Sequence, residues 1–286
     1  MLRTRIVFML DLFSVILIAY AFSYAQSKPD SALPDATAIR SRFLEIIDRP
    51  RVPLDPQLRP AGTARGLTAT HFTFAADAEE RVPGIVIRPE KSAGRRPAVI
   101  VLHGTGDSKE GMLDLAGELA ARGFVAVAID GRYHGERTKS GYDDAILRAY
   151  KTGKEHPFLY DTVWDVMRLI DYLETRDDVD PKRIGVIGIS KGGMETYLAA
   201  AADTRIAVAI PCISVQSFRW ALDNNRWQAR VGTIQPAVQG AAQGDRVALN
   251  AQFVRTFYDR VVPGIYPVSI RNSTALPCSR SLRPGL

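Results

Sequence analysis

Apolar residues along this chain form two kinds of pattern: unbroken runs, and stripes that recur every three or four positions. Ala98-Val99-Ile100-Val101-Leu102 is a run rich in β-branched residues, closed in front by Pro97 and behind by His103-Gly104. Such a run predicts a strand covered on both faces, the habit of parallel sheets. Val125–Ile129, Ile184–Ile189 and Ile206–Ile210 repeat it. Between these runs, Met112, Leu115 and Leu119 predict a helix over 109–122, with Gly123 as its left-handed cap. Leu159, Val163, Val166, Ile170 and Leu173 follow at spacings of 4, 3, 4 and 3, the strongest helical stripe in the chain. Residues 191–202 read as a further helix. Upstream, His71-Phe72-Thr73-Phe74 alternates, and Gly84–Ile87 follows the turn-prone Asp77–Arg81, which predicts an antiparallel hairpin. The order, two strands and then strand and helix in alternation, gives the α/β class: an open, mostly parallel sheet with helices on both faces.

The flanks read differently. Arg3 and Arg5 precede an apolar run from Ile6 to Ala25, interrupted by Asp11, with a small-x-small site at Ser23-Tyr24-Ala25. This predicts an export signal over 1–25, cleaved after Ala25, the competing reading being an uncleaved anchor. The expected location is periplasmic or extracellular, with membrane contact through this segment alone. Residues 26–66 hold Pro29, Pro34, Pro50, Pro53, Pro56 and Pro60, which allow a short amphipathic helix around Ile39–Ile47 and otherwise suggest a linker or lid-like approach. The main α/β domain is then expected over 67–264. Residues 265–286 contain no Asp, Glu or His, no buried-strand run, and many Ser, Pro and Arg; they read as an aberrant, disordered tail.

Composition changes this picture little. In 286 residues, 46% hydrophobic, 37 basic side chains against 31 acidic leave a formal charge of +6 spread along the chain, with no basic run interleaved with aromatics to suggest nucleic-acid binding. Two cysteines, Cys212 and Cys278, exclude a disulfide framework, and Cys212, ending an apolar run, is expected to be a buried free thiol. Neither the cysteines nor His71, His103, His134 and His156 show metal-site spacing, and no cofactor is implied.

The chemistry centres on Gly188-Ile189-Ser190-Lys191-Gly192, a G-x-S-x-G run where a predicted strand passes into a predicted helix. In that context the pattern is a nucleophile elbow: a tight turn exposes the serine, and glycines let neighbouring backbone pass. Ser190 is the expected nucleophile, against the plainer reading of a capping serine. An oxyanion hole needs two backbone donors about 2.7–3.1 Å from the developing charge. The amides of Lys191 and of Thr105, in His103-Gly104-Thr105-Gly106, are the candidates, with Gly104 allowing close approach. His103 either supports its loop or acts as a general base. The loop Asp130–Arg137 leaves the next strand, so Arg132 and His134 should border the pocket; Arg132 either binds an acidic substrate group or braces the loop through a carboxylate such as Asp130. Trp220 and Trp227, seven apart on one predicted helix, read as a core-facing pair or as a sugar-stacking platform.

From about residue 65 to 265 these motifs, with Phe158–Trp164 and Phe218-Arg219-Trp220, resemble the dienelactone hydrolase and acetyl xylan esterase branch of the α/β-hydrolases, adjacent to prolyl-oligopeptidase catalytic domains. Dienelactone hydrolases carry Cys at the elbow, so Ser190 favours the esterase side. The resemblance implies hydrolysis of carboxylic esters, acetyl or other small acyl groups, with an acylated carbohydrate or small ester as substrate, through an acyl-serine intermediate. It also implies two further strands followed by the triad acid and base, a stretch for which this sequence has no match. Ile206–Ile210 is therefore expected to lie at an edge, and activity to be impaired. The alternatives are a prolyl-oligopeptidase-like peptidase and a non-catalytic binding protein that keeps the pocket.

Overall fold

The computed structural model describes residues 35–91, 94–138, 141–214 and 217–264. The expected export signal, the tail 265–286 and Cys278 lie outside the described residues. The described residues from Phe43 to Gly264 belong to one compact unit; of the unit before it, the start of a helix, Ala36–Ile47 (α1), is described. The elements then run β1 (Gln57–Ala64), β2 (Leu67–Ala75), β3 (Arg81–Pro89), β4 (Arg96–Leu102), α2 (Leu113–Ala121), β5 (Val125–Ile129), α3 (Tyr142–Thr152), α4 (Tyr160–Glu174), β6 (Val179–Ile189), α5 (Lys191–Ala202), β7 (Ile206–Cys212), α6 (Phe218–Asp223), α7 (Gln228–Val231), α8 (Gln235–Asp245) and α9 (Ala251–Val261).

One seven-stranded sheet takes the order β1-β2-β3-β5-β4-β6-β7. The first three strands form an antiparallel meander, β3 meets β5 antiparallel, and β5, β4, β6 and β7 run parallel to one another. The continuous apolar runs of β4 and β5 are covered on two sides, as the sequence implies, whereas that of β7, expected to be covered likewise, is exposed from Ala207 to Pro211 because it has one neighbouring strand. Ile85, Ile87, Val101, Ala126 and Ala128 pack with Met112, Ala116 and Ala120 on one face. Val86, Ile100, Leu102, Val127 and Ile129 point into the larger core on the other, with Trp164, Val166 and Ile170 of α4 and Met194 of α5. Alternate residues of each strand thus serve two cores.

Four readings need correction. The stretch 57–64, taken as linker, is a strand paired with β2, with a register shift between Pro60 and Gly62. All its side chains are exposed, so it is held by backbone bonds that leave no apolar signature. Trp220 and Trp227 do not share a helix: α6 ends at Asp223 with Asn224 as its cap, Asn225 turns to φ 53°, and Trp220 is 57% exposed. Cys212 is a free thiol but only half-buried, because it ends the edge strand. The expected helix over 109–122 begins as a 3-10 turn, Lys109–Met112, before α2. As expected, Ile206–Ile210 lies at the sheet edge; Val208 is 56% and Ile210 47% exposed. Among the described residues no helix is long and apolar enough to cross a membrane.

Candidate active site

At the junction of β6 and α5, Ser190 adopts φ 56° and ψ −112°, a conformation closed to most residues carrying a Cβ. The surrounding glycines explain how the turn fits. A Cβ on Gly188 would lie 2.2 Å from Gly192 O, and one on Gly192 would lie 2.4 Å from Leu102 O. The elbow therefore presses against the end of β4, and only bare backbone can occupy these positions. The Ser190 amide donates to Cys212 O at 2.9 Å, tying the turn to β7, and Met194 N donates to Ser190 O at 3.1 Å as α5 begins. Gly104 completes the contact, since a Cβ there would lie 3.6 Å from the Ser190 Cβ. The loop carrying Thr105 thus starts beside the serine, while the Lys191 amide follows it directly in the chain.

The His103 ring is committed to backbone on both sides. Nε2 accepts the Gly131 amide at 3.0 Å, and Nδ1 donates to Gly104 O at 2.7 Å, which joins the loops after β4 and β5. Burial, and then the charge of Lys191, push this imidazole down to about 4. His134 is 5% exposed; its Nδ1 donates to Arg132 O at 2.7 Å and its Nε2 is buried without a partner. Burial and Lys191 again lead in lowering it to about 3. His156 engages Val261 O through Nδ1 at 3.0 Å, and His71 lies in β2, four sheet positions from β6. None of the four histidines of the sequence hydrogen-bonds Ser190.

Arg132 braces its loop, but not through Asp130. Its guanidinium forks onto Asp165 of α4 at 3.1 and 3.0 Å and also reaches Asp77 at 3.0 Å. Arg137 joins the same carboxylate at 2.5 Å. Asp165 is fully buried; burial alone would raise its carboxyl, but the two arginines hold it below the usual range. Asp77 is likewise brought down to about 2 against its burial, by Arg132 first. Asp130 instead accepts the Lys109 amide at 2.8 Å and its ammonium at 2.9 Å, plus the Glu136 amide at 3.0 Å. Asp165, Asp77, Lys109 and Glu195 escape a sequence reading because the partners lie far apart in the chain or, for Glu195, read as part of a helix face. The available signals were the charged Asp161, Asp165 and Arg168 inside an apolar helix stripe and the four-residue spacing of Lys191 and Glu195. Among the described residues no three His, Cys, Asp or Glu side chains gather as a metal site requires.

A mostly parallel sheet with helices on both faces, and a strained serine between β6 and the following helix, define an α/β-hydrolase. The family model for acetyl xylan esterase matches residues 43–224, and the chain belongs to that family. The Bacillus subtilis (strain 168) protein YtaP is 30% identical over 148 residues, 47% of this chain and 49% of YtaP. The chain spans half or less of the length of the curated relatives it matches first. Among solved structures, the acetyl xylan esterase from Paenibacillus sp. R4 is similar with a TM-score of 0.57 at 18% identity, over 82% of this chain and 76% of that one. Acetyl xylan esterase 1 from Thermoanaerobacterium sp. JW/SL YS485 gives 0.54 at 20% identity, over 81% and 77%. At these identities the two structures share the fold.

Proposed function

We propose that this protein is a carboxylic ester hydrolase that removes acetyl or other small acyl groups, carbohydrate esters included, with Ser190 as nucleophile. The observation that carries the reading is the strained backbone of Ser190 between β6 and α5, in a chain of the acetyl xylan esterase family. Attack of Oγ on the acyl carbon would expel the alcohol and leave an acyl-serine, which water then hydrolyses. The developing oxyanion is assigned to the amides of Lys191 and Thr105, an assignment supported by Gly104 abutting the serine Cβ. The base that activates Ser190 is not one of the four imidazoles of this sequence, each of which is placed or bonded elsewhere. Hydrolysis by this chain then rests on the elbow and the oxyanion donors, an arrangement that retains about 10³–10⁴-fold over water in triad knockouts.

The test is hydrolysis of p-nitrophenyl acetate and of acetylated xylan by the full chain and by Ser190→Ala. The expected result is a slow acetyl release with a burst of acyl-serine formation; Ser190→Ala should abolish the burst and lower the rate, leaving the part that the oxyanion donors supply. The pH profile of the full chain should climb toward alkaline values without the inflection near about 6.5 that a free imidazole base imparts. Equal rates in the two proteins would remove Ser190 from the chemistry and favour a non-catalytic binding protein.

A further inference from the structure

The Lys191 side chain is a buried cation that the ester chemistry above leaves unused. It is 1% exposed, and its Nζ meets Glu195 Oε1 at 2.6 Å one turn along α5. Glu195 is equally buried and also takes a hydrogen bond from Thr162 of α4. Such a pair surrenders in desolvation much of what it gains in attraction, so stability alone is a weak reason for it. Its position is more informative. A Cβ on Gly131 would fall 3.1 Å from Lys191 Nζ, 3.3 Å from Thr162 Oγ1 and 3.4 Å from His103 Nε2. The ammonium and the His103 ring therefore face the same bare stretch of backbone in the loop after β5.

The two bonds of His103 require one form of the ring. Because Nε2 accepts the Gly131 N–H, it carries no proton, and Nδ1 must hold the hydrogen that it donates to Gly104 O. A protonated ring would point N–H at N–H, and the joint between the two loops would open. Asp107 and Asp130 draw a proton toward this ring, whereas Lys191 opposes it. The neighbouring His134 ring, 5.0 Å away, is disfavoured as a cation by Lys191, His103 and Arg137 and packs on Tyr142 of α3.

We infer that the Lys191 ammonium, fixed by Glu195, is a positioning charge: it keeps His103 neutral with its hydrogen on Nδ1, so that the loops carrying Thr105 and Arg132 stay joined beneath Ser190. The meaning for catalysis rests on the reading of Ser190 as nucleophile; the state of the ring does not. Burial and Lys191 act in the same direction on both imidazoles, and at His103 they act against the two aspartates.

The experiment is ¹⁵N-edited NMR of the full chain labelled at histidine, with hydrolysis measured on the same samples. Wild-type His103 is expected to be neutral, protonated at Nδ1 and unchanged from about pH 8 to about pH 5.5. Lys191→Met combined with Glu195→Gln removes both charges without stranding a carboxylate. In that variant, half-protonation of His103 should rise by about one pH unit or more, and kcat should fall by about a quarter or more between about pH 8 and about pH 5.5, KM unchanged. A merely structural role would lower kcat equally at both pH values, and that result overturns the inference, as does a variant whose His103 titrates like wild type. Should the variant fail to fold, a wild-type His103 protonated on Nε2, or half-protonated above about pH 6, still overturns it. If Ser190→Ala leaves hydrolysis intact while His103 behaves as stated, the nucleophile assignment falls and the positioning charge stands.

Discussion

Ser190 holds a backbone conformation that its neighbours impose and its own Cβ resists. A non-glycine residue in such a region stores about 1–3 kcal/mol, which the packed turn must supply. Ser190→Gly should therefore raise stability by about 1 kcal/mol, once the extra freedom of glycine in the unfolded chain is subtracted, while the burst of acyl-serine formation disappears. Urea unfolding of the two proteins checks the sign; a less stable Ser190→Gly would mean that the turn carries no strain. The spacing of Gly188, Ser190 and Gly192 was legible in the sequence, because a strand run and a helix meet there. The reason those glycines are needed was half hidden: Gly192 yields to Leu102 O, an atom from a strand about ninety positions earlier. Lys191 was legible only as an amide. Its side chain gained a role from Gly131 and His103, which no local spacing connects to it.

At the scale of elements, the loop after β5 is held to α4 by a charge cluster rather than by apolar packing. Asp165 receives both Arg132 and Arg137 in a site without solvent. Removing this charge takes from both arginines their buried partner and leaves Arg132 with Asp77 and Arg137 with Glu80, at a cost of up to about 3–5 kcal/mol. Asp165→Asn should lower the unfolding free energy by about that much, and loosen residues 131–138 in hydrogen exchange before the sheet opens. A change below about 1 kcal/mol would show that Asp77 and Glu80 suffice to hold the arginines. The parallel strands and α4 were legible because burial on two faces imprints long apolar runs. β1 was not, since its exposed side chains place no demand on residue type and its Pro60 reads as a breaker. The split between α6 and α7 was likewise invisible, because Asn225 at positive φ looks from sequence like any helix-surface residue.

For the whole molecule, the two buried imidazoles set an acid limit. Folding lowers His103 from the usual 6.5 to about 4 and His134 from 6.5 to about 3. Below 6.5 the unfolded chain takes up protons that the folded chain refuses, so stability is fully present above that value and drains as pH falls toward the folded values. His103 alone stands for roughly 3 kcal/mol of this loss, on the scale of 1.36 kcal/mol per pH unit. Thermal melts between about pH 7 and about pH 4 should show a steady fall in midpoint, beginning well above the range where carboxylates protonate. A midpoint flat down to about pH 5 would show that the rings are already open to water.

The elbow hangs on the outermost strand: the Ser190 amide hydrogen is held by Cys212 O at the far end of β7, whose other edge pairs with nothing among the described residues. That single hydrogen is a gauge of fraying. Its exchange with deuterium can be no slower than the lifting of β7 permits, even though the glycines beside it are gripped by β4 in the middle of the sheet. The nucleophile's own turn thus leans on an inner strand yet is timed by the rim, and whatever quiets β7 will quiet Ser190.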